Sequence, residues 1–293
     1  MSLKTKLSET DLINLIRDFG KNPNFLQYIG KDITENILDL YPNLDWDWKY
    51  LSLSIKLEYI YTNKKLPWDW GHVSYRAKWD DVKANPGLKW NWEYLSGNPN
   101  ITWEIVRDNS QYPWKYDSLC LNRNITGDIV RDNPKIKWSY LNLSKNFTIT
   151  MKFIEENIDK DWDFKYLSKR ADLDLDLVFK NMAKKWDYDT IITREDLVLT
   201  PEQLKLLIEK SILHFNEYIL NKFIRKKTTS WSHIKIFYDL KIPLKGEIWD
   251  TITYITSKKD ITLEIAQSMP LLNWNWKNIV AQYKNQKLDT IHE

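Results

Sequence analysis

The apolar positions of this chain fall into a recurring phrase. A tryptophan, one intervening residue and a second aromatic appear as Trp46-Asp47-Trp48, Trp68-Asp69-Trp70, Trp90-Asn91-Trp92 and Trp114-Lys115-Tyr116. The series continues as Trp138-Ser139-Tyr140, Trp162-Asp163-Phe164 and Trp186-Asp187-Tyr188, and returns as Trp274-Asn275-Trp276. The period is 22 to 24 residues, the signature of a solenoid or stacked array.

The polar residues show how each repeat is built. Inside seven of the eight markers the middle residue is Asp, Asn or Ser, side chains that cap helix N-termini. Five places after each leading tryptophan stands an aliphatic residue: Leu51, Val73, Leu95, Leu119, Leu143, Leu167, Ile191 and Ile279. An apolar residue before the cap that packs on the fourth helical residue is a hydrophobic staple, so each marker opens a short B helix.

Thirteen residues before each B cap the grammar repeats to open an A helix. Examples are Ile33-Thr34 with Leu38, Ile101-Thr102 with Val106, Ile125-Thr126 with Val130 and Ile149-Thr150 with Ile154. Lys56 and Lys78 hold the cap in two repeats, where weaker helix starts are expected. Each A helix is predicted to stop at an asparagine (Asn63, Asn85, Asn109, Asn133, Asn157, Asn181) in the left-handed conformation that residue tolerates. Helices of about two turns do not persist alone in water. Stacking is therefore required, and one buried indole per hairpin contributes roughly 4–6 kcal/mol as an upper bound.

The fold class that follows is all-α, an α-solenoid of short helix-turn-helix repeats. Residues 1–32 form a variant, capping hairpin with Ser8 as a helix cap, and residues 33–192 the regular repeats. Residues 193–260 are a divergent helical stretch, read as a bend, a site or ordinary repeats. Residues 261–293 are a closing repeat and a fraying tail.

The run "NPNITWEIVRDN…PWKYDSL" and the recurring W-D/N-W-x-x-L-S resemble the tryptophan-rich short-repeat proteins that giant DNA viruses of amoebae encode in many copies. The likeness covers the chain apart from about residues 193–260. It implies an all-helical viral repeat protein and offers no catalytic residue to carry over.

Composition narrows the function classes. Sixteen tryptophans and only seven glycines among 293 residues suit helices built on large anchors. A net charge of +3, from 43 basic and 40 acidic residues, does not by itself imply a polyanion partner. One cysteine, no long apolar run and an opening "MSLKTKLSETD" without an apolar core lead to the expectation of a soluble, intracellular protein in host cytoplasm or virion.

Chemistry is sparse. His72, His214, His233 and His292 lie apart, and no phosphate-cradling loop or nucleophile elbow occurs. No cofactor and no enzymatic activity are expected. Cys120 stands where other repeats have serine, a packing position. Two features remain as candidates for partner binding. Lys83, Arg107 and Arg131 share one register and would align as a basic stripe able to follow phosphates. Trp79 and Trp103 share the first A-helix position with Glu35, Gly127 and Met151, a range that suggests exposure and a sticky patch. An unidentified protein partner, host or viral, is the leading expectation. A nucleic-acid array is the alternative, and no membrane association is expected.

Overall fold

The short helices open where capping side chains stand and close after about two turns. In the computed structural model, A helices occupy Glu35–Leu40, Leu57–Thr62, Trp79–Ala84, Trp103–Asp108, Gly127–Asp132, Met151–Glu156 and Leu175–Lys180. B helices occupy Trp48–Ser54, Trp70–Arg76, Trp92–Gly97, Tyr116–Leu119, Tyr140–Leu143, Phe164–Leu167 and Tyr188–Thr193. The structure describes residues 7–22, 25–26, 29–211, 217–226, 228–240, 242, 263–269, 274 and 280. Among these no strand occurs, and the fold is an all-α repeat solenoid. No helix among them is long and apolar enough to cross a membrane.

The caps act as the sequence predicts. Thr34, Thr102, Thr126 and Thr150 each accept the amide three residues on, and Asp47, Asp69, Asn91, Ser139 and Asp187 do so for B helices. Lys56 and Lys78 supply no side-chain cap. Carboxylates take the exposed amides instead: Asp81 accepts from Lys78 N–H at 3.0 Å, and Glu35 of the preceding A helix accepts from Lys56 N–H at 3.4 Å.

The A-helix ends differ from expectation. The closing asparagines have φ between −101° and −128°, outside the left-handed region. Each instead donates its Nδ2 to the carbonyl four residues back, at 2.8–3.1 Å. The side chain caps an orphan carbonyl, so no unusual backbone is needed.

That asparagine also explains the tryptophan. Every leading indole Nε1–H donates to the carbonyl five residues earlier, at 2.8–3.1 Å. The acceptor is the A-helix terminal asparagine in six repeats, Tyr41 in the first and Met269 in the last. Each ring is only 4–9% exposed. A phenylalanine would fill much of the space but leave this carbonyl without its donor, a loss of about 1–3 kcal/mol.

The chain divides into two compact units, Met1–Asp163 and Phe164–Glu293, with the boundary inside a marker. Within the first unit, the second aromatic of each marker meets the next leading tryptophan edge-on. Trp48–Trp68, Trp70–Trp90, Trp92–Trp114, Tyr116–Trp138 and Tyr140–Trp162 have centroids 5.0–6.1 Å apart and planes at 82–87°. Such edge-to-face pairs add about 0.5–1.5 kcal/mol each beyond burial.

Two polar ladders run beside the rings. Ser52, Ser74, Ser96 and Ser144 accept from the cap amide of the next B helix at 2.8–2.9 Å. Two residues further, Asn98, Asn122 and Asn146 each reach back one repeat. Asn122 Nδ2 meets the carbonyls of Ser96, Asn98 and Ile101 at 3.0, 2.9 and 3.1 Å. Arg76 holds this place earlier, donating to Ser52 and Ile55 carbonyls. Cys120 replaces a serine, as predicted for a packing position. It is buried, and burial pushes its thiol up to about 11, with the Ser139 amide facing its sulfur.

The second unit keeps these joints while lengthening its helices. Arg194 donates to Ser168 and Arg170 carbonyls, and Ser168 accepts from Asp187 N–H. Helices Pro201–Ser211, Glu217–Ile224, Trp231–Asp239 and Leu263–Ser268 follow. Here the buried Lys226 takes the ladder place, donating to Ile192 and Leu197 carbonyls at 3.4 and 2.9 Å. His233 is structural too. Its Nδ1 accepts Ser230 N–H at 3.0 Å, which leaves Nε2–H to donate to the Leu199 carbonyl at 2.7 Å. The described part of residues 193–260 therefore consists of longer repeats on the same plan.

At the N-terminus Ser8 caps Glu9–Phe19 as expected, accepting from Asp11 N–H. Part of the second helix of that hairpin, the Trp249-Asp250 marker, most of the closing repeat and the tail lie outside the described residues.

Candidate interaction surface

Trp79 and Trp103 open A helices, and the exposure expected for them is corrected: each is 8% exposed. Trp79 packs on Tyr112 and Trp114 of the next repeat, with centroids at 5.3 and 5.5 Å, and Trp103 on Trp138 at 5.7 Å. Their place in the second unit is taken by Trp231, against Trp274 at 5.4 Å. The size range at this position reflects complementary filling. At Gly127 the next repeat supplies Phe153, whose ring would lie 2.7 Å from an added Cβ. These rings are joints between repeats, with no face left over for a partner.

Lys83, Arg107 and Arg131 do lie exposed in one register, but each has a carboxylate beside it. Lys83 pairs with Asp80 at 2.9 Å, Arg107 with Asp108 at 2.8 Å, and Arg131 with Asp128 and Glu156 at 2.6 and 3.1 Å. The hydrogen bond from Lys83 holds the Asp80 carboxyl below its usual range, and Arg107 does the same for Asp108. Arg131 also lies 5.8 Å from the Phe153 ring centre. The row is a set of local ion pairs, so its outward field is small.

A different basic feature lies on the A–B turns. The residue two places before the leading tryptophan covers the previous marker's second aromatic. Tyr112 stacks on Trp92 at 5.1 Å with planes at 20°, and Lys160 sets its ammonium 5.8 Å from the centre of Tyr140. In the second unit Lys184 lies likewise over Phe164. Between these turns are two adjoining grooves of about 530 and 420 Å³ that share Ile136 and Lys137. Lys115, Lys135 and Lys137 line them, exposed and without an ion-pair partner among the described residues, and the paired Arg131 lines the second groove. Asp117 is the one carboxylate on the walls.

Sequence reasoning overlooked these lysines because other residue types hold their places in other repeats: Pro67 and Pro113 at the place of Lys137, Gly87 and Gln111 at that of Lys135, and Asp69 and Asn91 at that of Lys115. Aligning the turns by the leading tryptophan would have exposed the cluster. Among the described residues no group of three or more His, Cys, Asp or Glu is placed to hold a metal ion. No family model, no curated protein and no solved structure matches the chain.

Proposed function

We infer that this chain is a non-catalytic repeat scaffold that binds a protein partner, host or viral, and that works in the host cytoplasm or the virion. The observation that carries this reading is a division of labour between positions. Indole-to-carbonyl, serine-to-cap and Asn/Arg ladders recur from repeat to repeat, while the fifth A-helix position is exposed as Asp39, Lys83, Arg107, Arg131 and Glu155 and half-buried as Tyr61, whose ring packs on Trp90. A surface that varies freely over fixed joints suits recognition of a protein by an extended array. The motif W-D/N-W-x-x-L-S supports placing the chain with the tryptophan-rich viral repeat proteins it resembles.

The nucleic-acid alternative drew on Lys83, Arg107 and Arg131, and their ion pairs remove most of its support. The test places a photo-crosslinking amino acid at position 83, 107 or 131 of the full chain in cells. Crosslinks to a discrete protein, differing in yield among the three sites, are expected. Crosslinks to nucleic acid alone, or none at any site, contradict the reading.

A further inference from the structure

We propose that the paired grooves on the A–B turns around Trp114 to Lys160 form a docking site for an acidic, extended segment of a protein partner. The proposal rests on the scaffold reading and names the chemistry of what the scaffold holds.

Charge is the first argument. Three lysines, Lys115, Lys135 and Lys137, project into the trough with no carboxylate within ion-pair distance among the described residues. Lys160 adds a fourth cation at the far wall, held over the Tyr140 ring. Against them stands Asp117 alone. This sets the three lysines apart from Lys83 and Arg107, and from Arg131, which lines the second groove but is already paired with Asp128 and Glu156.

Shape is the second. The grooves are open and adjoin at Ile136 and Lys137, with Tyr116 and Tyr140 among their lining, so an occupant lies along the turns instead of entering a cavity. Packed helices lie about 8–10 Å apart, and three residues of extended chain span about 10 Å. A carboxylate at every third position therefore meets one repeat after another, while the residues between contact Ile136 and the tyrosine rings.

A peptide suits this charge layout better than a nucleic acid. Single strands carry a phosphate at every nucleotide, and along the grooves they would meet Asp117 as well as the lysines. A peptide places its few charges where cations stand and uncharged residues where carboxylates do.

The experiment measures fluorescence anisotropy of a labelled peptide of about fifteen residues, spanning about 50 Å when extended. It carries glutamate at every third position between glycine and serine. The full chain binds this peptide, binding weakens as salt rises, and the glutamine counterpart is not retained. Lys135→Glu with Lys137→Glu weakens binding about tenfold or more, while circular dichroism and melting stay as in the wild type because both side chains are exposed. No binding of the glutamate peptide, or binding indifferent to the double substitution, overturns the proposal. So does oligothymidylate that binds more tightly than the peptide and loses affinity in the same variant, because the occupant is then a nucleic acid. Photo-crosslinking of the double variant at position 83 or 107, both outside the grooves, separates the two readings. Protein crosslinks that persist while peptide binding is absent from the wild type sink the groove and leave the scaffold standing.

Discussion

The regular repeats and the long repeats solve one problem with different amounts of helix. Between Glu35 and Leu175 the A helices are six residues long and start 22 or 24 residues apart. From Leu175 the starts step to Pro201, Trp231 and Leu263, which are 26, 30 and 32 residues apart. The joints hardly change. Asn122 spans 26 and 21 residues to its outer carbonyls, and Lys226 spans 34 and 29 to the equivalent pair. Both spans grow by the same amount, so the added turns sit between the anchors and leave the anchors in register. Helix length is thus free to vary, and the buried donor that ties one repeat to the last is not.

The strongest way to break the comparison is to reverse that donor. Asn122→Asp keeps the size but turns a carboxylate toward three carbonyl oxygens in a fully enclosed site. Burying an unpaired charge costs several kcal/mol, enough to unfold the surrounding repeats at neutral pH. The introduced carboxyl has its folded pKa raised above the unfolded value. The loss is therefore full at neutral pH and shrinks as the medium is acidified through the carboxylate range. Thermal melts at pH 7 and pH 4.5 check both the size and the sign.

Next come the first-position tryptophans, one from each region. Trp103→Ala and Trp231→Ala each empty a ring site packed on a leading tryptophan, and each is expected to cost about 3–5 kcal/mol. Denaturant unfolding checks this. If Trp103→Ala melts like the wild type, its ring is not a joint.

Lys226 sharpens the equivalence. Lys226→Met leaves the Ile192 and Leu197 carbonyls without a donor and is expected to lose about 2–3 kcal/mol. Lys226→Arg, the residue that Arg76 and Arg194 use in this role, should lose less than half of that. Equal losses in the two variants, read from the same unfolding curves, would show that Lys226 is not part of the ladder.

The smallest effect belongs to Cys120. Cys120→Ser restores the hydroxyl found at Ser96 and Ser144, which accepts the next cap amide and donates to a carbonyl four residues back. A gain of up to about 1 kcal/mol is expected. In the wild type, burial keeps the thiol protonated up to about pH 11, so thiol reagents at pH 8 should label it only after unfolding.

Much of the framework was legible because it recurs in one residue type. The leading tryptophans, their caps and the aliphatic fifth position all show as identities at a fixed period. The ladder donors did not, because Arg76, Asn98, Lys226 and Arg194 share a geometry without sharing a chemical class. A buried side chain needs only N–H groups at the right reach, and several residues supply them. Trp79 and Trp103 were misplaced for a related reason. The variety at their position looked like solvent tolerance, yet Gly127 is matched by Phe153 from the neighbouring repeat, a compensation invisible to one column read alone. The asparagine ends were identified correctly as stops and assigned the wrong mechanism. Backbone preference and side-chain capping favour the same residue there. The lysine groove was hidden because proline, glycine, glutamine and capping residues hold the places of its lysines in other repeats.

The central claim is that each leading tryptophan is held by its indole N–H on the end of the preceding helix. Amide and indole hydrogen exchange followed by NMR tests it most directly. Slow exchange is predicted for the Nε1–H of Trp46, Trp68, Trp90, Trp114, Trp138, Trp162, Trp186 and Trp274, with fast exchange for the half-exposed Trp48, Trp70 and Trp92. Exchange of the leading indoles as fast as those three would contradict it.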